Sequence, residues 1–218
     1  MSEPSTDRHF SRAQFLRNTA KGSIALAVGG SVLASVDGVA FAARGVSDNS
    51  TLQAAYAAET LAVHVYTAVL AGFHSFQRPA LQNIDYFQAA LQNEKDHKGF
   101  LGKALGSKAP TGLTLTIPRS ALKSGQAVLN FGVALETAFV STYLGAVGTL
   151  KSAELKLVAA KVAANEATHF SFFDAAAGGH GVLPSLPATV TVAQAATVLT
   201  PYIPNLTARL TAAGFPNA

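Results

Sequence analysis

The hydrophobic pattern divides most of the chain into four long helical segments. From Ser50 to Phe76 there is no proline, and Ala, Leu, Val and Tyr dominate. A run of this length and composition predicts a helix, and similar patterns predict three more. Their expected ranges are 79–105, 120–150 and 152–177. Pro79 suits the first turn of the second helix, and the glycine-rich run after Ala177 predicts where the fourth helix ends.

Two further segments lack a long helical pattern. Residues 106–120 hold two prolines and two glycines, with alternating Thr and Leu. They predict a partly extended connection of up to about 50 Å, long enough to run along a helical bundle. Residues 181–218 are proline-rich and predict a tail that wraps the bundle, with at most one short helix near 191–200. We therefore expect an all-α domain over residues 44–180, a four-helix bundle with a long crossover between its second and third helices.

The first 43 residues have the layout of an export signal. Residues 8–23 are basic and polar, residues 24–36 are apolar, and Ala42 ends a small-x-small cleavage site. The run SRAQFLR is similar to the twin-arginine pattern but holds Ala13 where the second arginine belongs. We predict a degenerate twin-arginine signal cleaved near Ala42, and hence a periplasmic, cell-surface or secreted protein. The alternative is an uncleaved membrane anchor, for which the apolar run is short and glycine-containing.

Composition narrows the classes of function. Hydrophobic residues make up 49% of the chain and charged residues 13%, against about 25% charged in an ordinary domain, which indicates a well-filled core. The net charge of +4 is spread without a dense basic run, so we expect no nucleic-acid partner. Cysteine is absent, which excludes disulfides and iron–sulfur clusters. Met1 is the only methionine, so a methionine-ligated haem is not expected.

Two carboxylates are isolated inside apolar segments. Between Asp48 and Arg78 the only acidic or basic residue, histidine aside, is Glu59, and between Lys123 and Lys151 it is Glu136. Burying such a carboxylate without a partner costs several kcal/mol. Because the two segments are apolar nearly all round, we expect both carboxylates to be buried and therefore to be paired.

An internal repeat connects these carboxylates to two further motifs. The run AETLAVHVY matches LETAFVSTY, and NEKDHKGF matches NEATHFSF. Each half of the chain thus has a lone Glu followed by Glu-x-x-His, and an Asn precedes both Glu-x-x-His motifs. The paired residues are Glu59 with Glu136, Tyr66 with Tyr143, Asn93 with Asn165, Glu94 with Glu166, and His97 with His169.

The spacing of these residues favours a single buried site. Residues at i and i+3 of a helix lie about 60° apart on one face, so each Glu-x-x-His can aim both side chains at one point. Four carboxylates converging in a dry core would repel one another and take up protons. Two divalent metal ions would neutralise them, and carboxylate with imidazole suits iron or manganese.

These motifs resemble the ferritin-like di-iron and di-manganese carboxylate proteins, in which lone Glu residues and Glu-x-x-His motifs project into a four-helix bundle. The resemblance covers residues 50–177. It implies a ferritin-like fold and metal ligands at Glu59, Glu94, His97, Glu136, Glu166 and His169. One Glu of each half would bridge the metals. The export signal and the proline-rich tail are most similar to exported ferritin-like proteins related to plant desiccation-related proteins.

The resemblance leaves three functions open. The first is a redox enzyme, a di-iron oxidase or peroxidase or a di-manganese catalase-like protein, which acts on dioxygen or peroxide. The second is iron storage in a homo-oligomeric cage, and the third is a stress protein whose metal is structural. Maxi-ferritins lack the second His, whereas both halves of this chain have one. The Met that binds haem in bacterioferritin has no counterpart here. Rubrerythrin would require a Cys-rich segment, which this chain lacks. We therefore favour the redox role.

The remaining polar side chains of the helices have simpler interpretations. Tyr66 and Tyr143 each lie about two turns after a lone Glu and nearly on its face. They are candidate hydrogen-bond donors or redox partners beside the metals, or else ordinary core tyrosines. His64, His74 and His180 are not expected to be ligands, because of their angle on the helix, their distance along it or their position in a glycine loop.

Overall fold

The computed structural model describes residues 27–28, 31–32, 47–75 and 83–215. Most of the predicted export signal lies outside the described residues, and so does Pro79. Within the signal, β1 (Ala27–Val28) pairs with β2 (Ser31–Val32) as a short antiparallel ribbon, in which Ala27 lies opposite Val32.

Four long helices make up most of the described chain, as the hydrophobic pattern predicted. They are α1 (Asp48–Ala71), α2 (Ile84–Leu105), α3 (Gly125–Thr149) and α4 (Ala153–Ala177). Several predicted ends were wrong. Helix α1 stops at Ala71 and is followed by a 3₁₀ turn at Phe73–Ser75, and α2 and α3 begin later than predicted.

The late starts follow from side-chain caps. Each long helix is preceded by a Ser or Asn whose side-chain oxygen accepts a hydrogen bond from the backbone N–H three residues on. Such a cap contributes about 1 kcal/mol, enough to decide between neighbouring starting points. The four caps are Ser47, Asn83, Ser124 and Ser152.

The helices form two hairpins. The most extensive helix contacts join α1 to α2 and α3 to α4. Both α1 and α3 are long and apolar enough to cross a membrane by length and composition alone. In the bundle, however, more than half of the apolar stretch of each is buried against its neighbours, so this apolar surface is used in the core.

The crossover and the C-terminal segment pack together. Thr116 N–H donates to Tyr202 O at 2.8 Å, and Thr114 N–H donates to the Asn205 side chain at 2.8 Å. The C-terminal segment holds two short helices, α5 (Val192–Leu199) and α6 (Leu206–Ala212). Only α5 was predicted.

Helix α6 was missed because the prolines before it suggested an irregular chain. Its leucines, Leu206 and Leu210, are one turn apart and fully buried in the core. Burial of a leucine side chain contributes about 1.5–3 kcal/mol, which is enough to hold a helix of only seven residues. The prediction of at most one helix in this segment was therefore wrong.

Candidate metal centre

The six residues singled out by the internal repeat meet in the middle of the bundle. They form two groups, and within each group ligand-type atoms lie within 4.8 Å of one another. The first group is Glu59, Glu94, His97 and Glu166, and the second is Glu94, Glu136, Glu166 and His169. Glu94 and Glu166 belong to both groups, so the two groups overlap at the carboxylates of the Glu-x-x-His motifs.

His97 faces the first group through Nδ1. This atom lies 3.1 Å from Glu166 Oε1, 3.6 Å from Glu59 Oε2 and 3.7 Å from Glu94 Oε2. Three helices, α1, α2 and α4, therefore supply carboxylates around one imidazole nitrogen. The i,i+3 spacing places His97 and Glu94 on the same face of α2, as expected.

His169 faces the second group in the same way. Its Nδ1 lies 2.9 Å from Glu94 Oε1, 3.2 Å from Glu166 Oε2 and 3.9 Å from Glu136 Oε2. The two imidazoles thus contact different oxygens of each shared carboxylate. The two groups therefore correspond as the repeat pairs their residues, with His97 matching His169.

The donor set fits metal ions. Although these side chains are close together, six of their buried atoms form no hydrogen bond within the described residues. Buried polar atoms are normally hydrogen-bonded, so ligand-type atoms that lie buried and close together without a hydrogen bond call for a cation. The six atoms are Glu59 Oε2, both carboxylate oxygens of Glu94, His97 Nδ1, Glu136 Oε2 and Glu166 Oε1.

The raised pKa values of two carboxyl groups in the metal-free cluster also indicate a cation site. Burial, followed by the charge of Glu94, raises the pKa of Glu59 to about 8. Burial, with the charges of Glu166 and Glu94, also raises the pKa of Glu136 well above its ordinary value. Without metal, therefore, Glu59 holds a proton at neutral pH, and the same causes favour the protonated form of Glu136. Divalent cations would displace those protons.

The imidazoles respond to the same carboxylates in the opposite sense. Burial by itself lowers the pKa of both histidines, but the neighbouring carboxylates outweigh it. They raise the pKa of His97 to about 12 and that of His169 to about 9. Protonated imidazole thus supplies, in the metal-free protein, part of the positive charge that the carboxylates require.

The two repeated tyrosines exchange partners across the bundle. Tyr66 on α1 donates its hydroxyl hydrogen bond to Glu136 Oε1 at 2.8 Å, and Tyr143 on α3 donates to Glu59 Oε1. Each tyrosine therefore holds the lone Glu of the other hairpin. Burial is the first reason that the pKa of both phenols is raised, and the adjacent carboxylate is the second, so both remain donors.

Comparison with known families agrees with this geometry. A family model described as a ferritin-like domain matches residues 47–179, which span the four long helices and all six clustered residues. The chain belongs to the ferritin-like family. A comparison with curated proteins gives no significant match.

Two residues contact the cluster of six residues but had no role predicted from the sequence. Asn93 Nδ2 lies 3.3 Å from the outer ring nitrogen of His169, so the side-chain amide meets the imidazole on the side away from the carboxylates. The Asn that precedes both Glu-x-x-His motifs was the sequence feature that could have indicated this contact. Tyr86 donates to His169 O at 3.4 Å and stacks on Phe172, with ring centroids 3.5 Å apart. Its counterpart in the repeat is Val158, so the repeat did not mark it.

The other histidines of the ferritin-like domain lie apart from the cluster. His64 on α1 and His180 after α4 are exposed, and neither belongs to the two ligand groups. The side chain of His74 lies outside the described part of the chain.

Proposed function

We propose that this ferritin-like protein binds two iron ions, two manganese ions or one of each, and uses them in redox chemistry of dioxygen or peroxide. The observation that carries the proposal is the pair of overlapping ligand groups that share Glu94 and Glu166. Four buried carboxylates are stable in ionised form only beside compensating positive charge. Two divalent cations supply that charge, and carboxylate with imidazole suits iron and manganese.

The overlap of the groups suggests a role for each ligand. Glu94 and Glu166 lie in both groups and would bridge the two metals. Glu59 with His97 would complete one metal site, and Glu136 with His169 would complete the other. This assignment gives each metal one carboxylate and one imidazole of its own.

The surrounding residues would keep this cluster oriented and dry. Bound iron or manganese supplies the redox chemistry of oxygen species. Tyr66 and Tyr143 hold one oxygen of each terminal carboxylate, which leaves the other oxygen directed into the cluster. All four carboxylates are almost fully buried, and exclusion of water strengthens every electrostatic contact there.

Metal analysis of the purified protein tests the site. We expect about two metals per chain, with iron or manganese predominant. Recovery of no metal after loading with either ion under anaerobic conditions would refute the site. A peroxide-consumption assay on each loaded form then tests the redox role, and lack of turnover with both peroxide and dioxygen would leave storage or a structural metal.

Storage is tested separately by size. A storage cage requires many copies of the chain around a mineral core, so gel filtration of the iron-loaded protein distinguishes the two roles. We expect a small assembly. A cage-sized peak with many iron ions per chain would replace the redox proposal with storage.

We also propose that the protein is exported. The signal-like layout of the first 43 residues supports cleavage near Ala42 and a periplasmic, cell-surface or secreted location, as in the desiccation-related type of ferritin-like protein. N-terminal sequencing of the protein recovered from fractionated cells tests this. An intact N-terminus in the cytoplasmic fraction would contradict it.

A further inference from the structure

The two ends of the bundle, on either side of the metal centre, are packed differently. On the His169 side, aromatic rings fill the space between the helices. The ring centroid of Phe87 lies 5.7 Å from that of Phe73 and 5.9 Å from that of Phe173. On the His97 side, a cavity of about 220 Å³ lies between all four long helices.

The internal repeat gives the cause of this cavity. When the two hairpins are aligned as the metal motifs align them, four aromatic side chains of the packed end correspond to smaller aliphatic ones at the other end. All four of the smaller side chains line the cavity. The pairs are Phe73 with Leu150, Tyr86 with Val158, Phe87 with Ala159, and Phe173 with Leu101.

Gly132 reflects the same difference in packing between the two ends of the bundle. A Cβ atom added to Gly132 would collide with the ring of Phe173, so the packed end needs glycine at this position. The counterpart of Gly132 in the repeat is Ala55, which lines the cavity together with Leu101. The smaller Leu101 leaves room that Phe173 occupies at the other end.

The cavity leads from the surface to the metal centre. Nine of the fifteen residues that line it are aliphatic, and His97 and Tyr143 also line it. The side chain of His97 is 14% exposed, whereas that of His169 is 2% exposed. Three cavity-lining residues are exposed to solvent and form the rim, namely Asp96, Phe100 and Lys161.

We propose that this cavity binds a small apolar organic molecule beside His97, next to the candidate metal centre. An apolar cavity of about 150 Å³ is large enough for benzene, so the space here suits a single ring with a short substituent. The aliphatic wall disfavours a charged ligand. Binding follows from the cavity alone, whereas its position beside bound metals rests on the function proposed above.

Binding of 4-fluorotoluene to the full chain, followed by fluorine NMR, tests the cavity. The variant Ala159→Phe copies Phe87 and fills the space, and we expect it to weaken binding at least tenfold. Ala160→Phe adds the same ring at the neighbouring exposed position of α4 and should leave binding unchanged. Absence of binding to the unmodified chain up to the solubility limit of the probe would overturn the proposal, as would equal binding by Ala159→Phe.

A second pair of variants covers the case in which Ala159→Phe does not fold, as judged by circular dichroism. Leu150→Phe copies Phe73, and Ala146→Val copies the residue at the equivalent position of α1, Val69. Both residues line the cavity, and both changes add less side-chain volume than Ala159→Phe does. We expect each to weaken binding of 4-fluorotoluene several-fold, and unchanged binding in both would overturn the proposal.

The position of the probe relative to the metals is tested by paramagnetic relaxation. Fluorine relaxation of bound 4-fluorotoluene should be much faster in protein loaded with Mn²⁺ than in protein loaded with Zn²⁺, which is diamagnetic. Equal relaxation with Mn²⁺ bound would refute a ligand beside His97. If the chain binds no metal, the redox function fails, while the binding comparison in the metal-free protein still decides whether the cavity takes an apolar ligand.

Discussion

The two sides of the candidate metal centre carry the same ligand-type residues in different surroundings. On one side His169 is enclosed by aromatic rings, and on the other His97 lines an open aliphatic cavity. Under the proposed function, the ligand residues are duplicated because two metal ions would need the same donors. The packing around these residues is not subject to that requirement, and aromatic or small side chains there would leave the donor set unchanged. A bundle with duplicated ligands can thus have one closed side and one accessible side.

The largest expected effect comes from removing the carboxylates that both sides share. Glu94→Ala combined with Glu166→Ala should lower metal content from about two per chain to none, because each change removes a ligand from both groups. Glu59→Ala alone should lower it to about one, because only the His97 side loses a ligand. Metal analysis by mass spectrometry measures both, and Glu154→Ala, at an exposed position of α4, is the control. Two metals retained in Glu59→Ala would contradict the division into two groups.

The pH dependence of the metal-free protein should show that both sides hold protons. Glu59, His97 and His169 have folded-state pKa values of about 8, 12 and 9, all above their unfolded values, so the folded state binds more protons. Stability is therefore highest at low pH for these groups. It should fall as pH rises from 6 to 9, as measured by urea unfolding at each pH.

A matched variant and the metal-loaded protein sharpen this pH prediction. Glu59→Gln cannot lose a proton, so its stability should fall less steeply between pH 6 and 8. Metal binding requires deprotonated ligands, and the loaded protein should therefore lose little stability over the same range. A metal-free protein that becomes more stable as pH rises from 6 to 9 would contradict the raised pKa values.

Truncation of one side chain on each side of the cluster should distinguish the packed side from the open one. Phe87→Ala removes a fully buried ring and should lower the free energy of unfolding by about 3–5 kcal/mol. Val158→Ala, in the cavity wall on the other side, should lower it by about 1 kcal/mol, because this side chain is only half-buried. Urea unfolding of the metal-free protein compares them, and equal losses would mean that the two sides are packed alike.

The smallest difference between the two sides is expected at the tyrosines. Tyr66→Phe leaves a buried oxygen of Glu136 without its donor, at a cost of about 2 kcal/mol. Tyr143→Phe removes the equivalent donor from Glu59, but Tyr143 lines the cavity, so water can replace its hydroxyl and the cost should be about 1 kcal/mol. Unfolding free energies of the two variants test this, and a larger loss for Tyr143→Phe would indicate that water does not reach Glu59.

The outcome of the sequence predictions depended on whether a residue had a counterpart in the repeat. Glu59 and Glu136 stood out because an isolated carboxylate in an apolar helix is costly unless it is paired, and the repeated Glu-x-x-His motifs supplied the partners. Tyr86 contacts the same cluster but has Val158 as its counterpart, so nothing in the sequence marked it. Helix boundaries were less certain because a single capping side chain such as Asn83 moves the start by several residues.

The sequence by itself determined the ferritin-like bundle and the six residues that meet in it, because helical periodicity and the energetic cost of buried charge act along the chain. Only the tertiary structure decided which carboxylates are shared, which tyrosine holds which Glu, and on which side the cavity lies. These depend on distances between residues of different helices. The volume of the cavity between the four helices depends on all the side chains that face it. The pattern along any one helix therefore does not determine it.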